Sequence, residues 1–89
     1  MHAVVVHLTI TADLDADTNE LREHVVPAMS HAPGFVAGYW TRKERSGLSV
    51  LVFESEDAAQ AMSESLASMI PPAAATVDEV EVREVVAHA

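Results

Sequence analysis

His7 is the one titratable side chain within "AVVVHLTI", residues 3 to 10, a run that is otherwise apolar and β-branched. An imidazole there could act as a general base near neutral pH or polarise a phenol. The same ring would also sit well in a subunit interface, hydrogen-bonded to a neighbour. Tyr39 and Trp40 are adjacent, so in a strand they point to opposite faces and only one lines any given cavity. Each joins a large apolar body to a polar tip, which suits both stacking on a flat aromatic ligand and packing in an interface. Met29, Met62 and Met69, together with Phe35 and Phe53, would give either a core or a malleable apolar pocket.

The other candidates carry less chemistry. His24 and His31 lie seven apart on one helical face, about 10 Å of rise, too far for a shared metal, and read as solvated. His2 and His88 are terminal. Glu79 and Glu81 share a strand face with no apolar enclosure to shift their titration. The chain has no cysteine, which excludes a thiol nucleophile, a disulfide framework and Cys-ligated zinc. No phosphate loop, Ser-His-Asp spacing or metal box is present, so nothing in the sequence calls for a metal or other cofactor.

Fourteen carboxylates against five Lys and Arg give a formal charge of −9, which repels nucleic acid and anionic membranes and excludes both as expected partners. The basic cluster Arg42, Lys43 and Arg45 falls at an expected hairpin tip and reads as a solvated loop. With no signal peptide or long apolar span, the cytoplasm is the default location. Eighty-nine residues fit one domain, residues 1–89, which covers only roughly 60 to 65% of its extended-chain surface on folding. Its core is therefore thin, and a partner subunit would help it.

The elements follow from apolar spacing. Residues 3 to 10 form a first strand. Asp17 and Glu20 have capping-box spacing, which predicts a helix from about Thr18. Leu21, Val25, Ala28, Met29 and Ala32 form its stripe, with a kink or break at Pro27 and a stop at Pro33-Gly34. Residues 35 to 43 and 48 to 54 read as a hairpin around "ERSG". Ser55 caps a second helix with Ala59, Met62, Leu66 and Met69 inside, ended by Pro71-Pro72. A last strand alternates Val80, Val82 and Val86 with Glu79, Glu81 and Arg83.

This βαββαβ order predicts an α+β, ferredoxin-like domain: a four-stranded antiparallel sheet with two helices on one face. The first three strands carry apolar residues on both parities, while two helices cover one face only. The cheapest cover for the open face is the same sheet from a second copy.

The element order, "APGFVAGYW" leading the second strand and "VFESEDAAQAM" leading the second helix resemble the dimeric α/β-barrel superfamily, specifically antibiotic-biosynthesis-monooxygenase-like proteins. The resemblance spans nearly the whole chain. It implies a homodimer joined through the open sheet faces, with a small pocket in each subunit between sheet and helices. It also implies a cofactor-independent monooxygenase-like protein acting on or binding a small flat apolar or aromatic molecule. The alternative is a non-catalytic dimeric ligand-binding or stress and interaction module. On the enzymatic reading His7 is the catalytic candidate, and Tyr39, Trp40, Phe53, Met62 and Met29 bind substrate. Haem-degrading members use an Asn, a Trp and a His where this chain has Val6, Phe53 and Met62, which argues against that branch.

Overall fold

A computed structural model describes residues 1–70 and 75–89. In chain order the elements are β1 (His2–Ile10), α1 (Leu14–Glu20), a π-helical segment (Leu21–Val25), α2 (Val26–Ser30), β2 (Phe35–Lys43), β3 (Ser46–Phe53), α3 (Glu56–Met69) and β4 (Ala75–Glu84). The strands form one antiparallel sheet in the order β2-β3-β1-β4. This is the expected ferredoxin-like α+β arrangement. The Pro71-Pro72 stop lies outside the described residues.

The first helix begins earlier than its capping-box spacing predicts. Asp13 is the N-cap: its carboxylate accepts the Asp15 and Ala16 N–H groups at 3.0 and 3.1 Å. The Asp17 N–H then makes a backbone bond of 2.9 Å to the Asp13 carbonyl. Asp17 therefore lies inside the first turn. Pro27, which has no N–H to donate, neither breaks the helix nor ends it. The turn before it widens, and the Val26 N–H reaches back five residues to the Leu21 carbonyl.

The basic cluster is exposed at the hairpin, as expected, but Arg42 and Lys43 belong to β2 and the side chains of Arg42 and Arg45 are tethered. The hairpin turn is only Glu44-Arg45, with Glu44 at a φ of 56°, and β3 starts at Ser46, two residues sooner than expected. Arg42 Nη1 donates to the Leu14 carbonyl at 3.0 Å and to Thr18 Oγ1 at 2.9 Å. Arg45 Nη1 donates to the carbonyls of Ile10 and Ala12 at 3.2 and 2.9 Å. The two arginines pin the start of α1 to the hairpin. At the other end of the chain β4 stops at Glu84, so Val86 lies beyond the last strand and is 88% exposed.

The core lies between the sheet and the helices: Val4, Val6, Leu51 and Phe53 from the strands meet Met29, Ala59 and Leu66. Phe35 and Phe53 pack edge to face with ring centroids 5.8 Å apart. Ser55 caps α3 as expected, accepting the Ala58 N–H at 3.1 Å. Gly34, at a φ of 77°, turns the chain into β2, and its carbonyl accepts the Glu54 N–H at 2.8 Å. A Cβ there would stand 2.9 Å from the Ala58 Cβ, so only glycine fits both the backbone and the space.

Candidate functional site

Strand pairing sorts the candidate residues by face. Trp40 pairs with Ser49, Ser49 with Val6, and Val6 with Val80, a row that faces the helices. The adjoining row on the same face is Gly38, Leu51, Val4 and Val82. On the other face Tyr39, Val50, Val5 and Glu81 form one row, and Thr41, Leu48, His7 and Glu79 the next.

A cavity of about 460 Å³ lies between the Trp40–Ser49–Val6 row and the helices. Its buried end is lined by Val6, Ser49, Leu51, Met29 and Leu66. The π-helical segment supplies Leu21, Arg22 and Val25 to its wall, so the widened turn that accommodates Pro27 also shapes the cavity. At the exposed end stand Asp17, Thr18, Glu20, Arg22 and Arg42. The glycine at 38 makes room for the Trp40 indole, since a Cβ there would come within 2.7 Å of the ring.

Ser49 is the polar group of the buried end. It is 7% exposed, lines the cavity, and its hydroxyl has no hydrogen-bond partner among the described residues. Its oxygen is not fully buried, so it stays open to whatever occupies the cavity. Sequence reasoning passed over this residue. Its signal was a lone hydroxyl on the parity of Leu51 and Phe53 in "LSVLVF".

Electrostatics differ along the cavity. Burial pushes the Asp17 carboxyl above its ordinary value, and the nearby Arg42 charge opposes that shift. The Glu20 carboxylate is taken by His24, whose Nδ1 lies 2.9 Å away. Arg22 has neither an ion pair nor a side-chain hydrogen bond among the described residues.

Of the expected site residues, Trp40 and Met29 line this cavity. Phe53 and Met62 instead line a second groove of about 290 Å³, with Ala58, Ala61 and Met69 of α3, Ala28 of α2 and Ala32 just beyond α2. His7 and Tyr39 lie on the open sheet face, Tyr39 65% exposed. His7 pairs there with Glu79, and its charge contributes to holding the Glu81 carboxyl below its ordinary value, behind the larger effect of the Arg83 hydrogen bond. His24 and His31 are exposed, as expected, His31 bonded through Nδ1 to the Pro27 carbonyl at 2.6 Å.

No protein-family model matches the chain, and no curated relative matches it. Solved structures do. A variant of MhuD with two manganese protoporphyrin IX molecules bound per active site superposes with a TM-score of 0.66 at 18% identity, over 100% of this chain and 98% of that one. A variant of SnoaB, a cofactor-independent oxygenase from Streptomyces nogalater, superposes with a TM-score of 0.67 at 19% identity, over 98% and 95%. Both matches extend over nearly the whole of each chain. The chain shares the ferredoxin-like α+β fold of these two proteins.

Proposed function

We propose that the helix-side cavity binds a small, flat, largely apolar aromatic molecule, and that the chain acts on it as a cofactor-independent monooxygenase while paired as a homodimer. The observation that carries the reading is Ser49: a hydroxyl without a protein hydrogen-bond partner among the described residues, open to the cavity beside Trp40, the only tryptophan. An apolar body stacked on the indole would bring a phenolic or ketonic oxygen to that hydroxyl. The volume lies within the range of about 300–1,000 Å³ usual for small-molecule sites.

Oxygenation without a cofactor takes its electrons from the substrate. A hydroxyarene gives up its proton, its ring carbon bonds to one oxygen atom of O2, and the other atom leaves as water. SnoaB, by its description a cofactor-independent oxygenase, shares the fold and supports this class of chemistry. The porphyrin held by MhuD does not suit this cavity, whose lining offers no imidazole, thiol or phenol to an iron. No step is therefore assigned to haem.

The open face supports the homodimer. Val5, Val50, Val52 and Leu48 make an apolar centre flanked by Tyr39, a patch suited to a second copy. His7 would lie under that copy and not at the reacting molecule.

The test is 1-naphthol, which should be converted to 1,4-naphthoquinone and water at the expense of one O2. Turnover by the wild type, reduced at least tenfold in Ser49→Ala with the fold intact by circular dichroism, is the expected result. Binding without O2 uptake would leave a ligand-binding module in place of the enzyme. No binding would remove the reading altogether.

A further inference from the structure

Two of the five basic side chains, Arg22 and Arg42, line the exposed end of the cavity. The chain has 14 carboxylates, yet among the described residues neither arginine has an acidic partner within ion-pair distance. The other cations are placed differently. Arg45 is bonded to the Ile10 and Ala12 carbonyls, Arg83 pairs with Glu81, and Lys43 lies on the opposite parity of β2 from Arg42.

The carboxylates at that end do not form ion pairs with the arginines. Glu20 is drawn to His24, and Asp17, near enough to interact with the Arg42 charge, is not within ion-pair distance of either arginine. Arg42 is also held in place. Its Nη1 is bonded to a carbonyl and a hydroxyl, both neutral acceptors, which fixes the side chain at the mouth and leaves the guanidinium without an ion-pair partner. A planar guanidinium with donors to spare in a fixed orientation is suited to an oxygen anion.

We propose that the ligand of this cavity is an organic anion, a flat apolar body carrying a carboxylate or ionised phenol oxygen at its outer end, held by Arg42 with Arg22. This rests on the cavity being the ligand site. The apolar body runs past Trp40 toward Ser49, and the negative charge stays at the wet end, where no desolvation of an unpaired ion is required.

The experiment is calorimetric titration of the full chain with 2-naphthoate and with its neutral amide, 2-naphthamide. The wild type is expected to bind the naphthoate on the order of tenfold more tightly. Arg42→Gln should abolish that preference and leave the amide unchanged. Arg42 also tethers α1, so a loss for both ligands in this variant passes the decision to Arg22→Gln, whose side chain tethers nothing. A loss of about threefold confined to the naphthoate supports the proposal, and no selective loss overturns it.

4-Nitrophenol, titrated above and below its own ionisation, separates the two anion types. Tighter binding of its ionised form that depends on Arg42 supports the proposal and includes phenolates; no preference restricts the class to carboxylates. Equal wild-type affinity for naphthoate and naphthamide overturns this inference and leaves the cavity as a ligand site. Binding of neither overturns both.

Discussion

The two faces of the sheet are built from the same strands and end in opposite states. On the helix side Val4, Val6, Leu51 and Phe53 are buried, and the larger of the two described gaps in the packing is bounded by Trp40 and Ser49. On the open side Tyr39 and Leu48 are exposed, with His7, Glu79, Glu81 and Arg83 along one flank. Neighbours in sequence, Tyr39 and Trp40, are divided between the two. On the proposed reading the helix side takes a small molecule and the open side a second copy of the chain. Apolar area without concavity cannot enclose a ligand, and a closed cavity cannot dock a subunit.

The largest expected effect lies in the sealed core. Phe53→Ala should cost about 3–5 kcal/mol, read as a lowered urea midpoint, because it removes a fully buried ring and its edge-to-face partner contact with Phe35. A much smaller loss would mean that the helix side is less tightly packed than its burial indicates.

On the opposite face, Val50→Glu should leave the subunit folded and weaken the homodimer on the order of a hundredfold, since an unpaired carboxylate would be buried against the partner. Sedimentation velocity reads this directly. An unchanged assembly would place the subunit contact elsewhere.

Gly38→Ala tests the seat of the indole. The added methyl meets the Trp40 ring, and overpacking of this kind costs about 1–3 kcal/mol. It should also displace the Trp40 fluorescence maximum. Both readings staying at wild-type values would show that the ring has room to move.

The smallest effect concerns Asp17. Burial raises its folded-state value above the ordinary 3.8, so below 3.8 both states hold the proton and the shift has no effect. As the pH rises from 3.8 through the raised value, the folded state is penalised for ionising it. The stability of Asp17→Asn relative to wild type should therefore improve over that window and level off above it. A flat difference between the two in urea titrations across the window would contradict the assignment.

Much of this was legible in the sequence, for physical reasons that differ by element. β1 and β3 betray themselves because their apolar residues occupy both parities, and Ser55 announces α3 because a hydroxyl before an acidic first turn has few other uses. The start of α1 was harder: "DLDADTNE" offers three aspartates as caps, and the choice of Asp13 depends on where Arg42 and Arg45 anchor the chain. Those contacts reach across 24 to 35 residues, beyond any local pattern. Strand parity foretold that Tyr39 and Trp40 would separate, but only the pairing register put Trp40 beside Ser49. The separation of Phe53 and Met62 from the larger cavity depends on how α2 and α3 pack, which composition does not encode.

The most direct test of the division of labour between the faces is a ¹H–¹⁵N correlation spectrum recorded during titration with 2-naphthoate. Trp40 gives the single indole signal of the chain, and Ser49 lies beside it in the sheet. The account predicts that the Trp40 indole and the amides of Ser49 and Met29 shift together while those of Val50 and Val5 stay in place. Shifts concentrated at Val5, Val50 and His7, with the Trp40 indole unmoved, would contradict it.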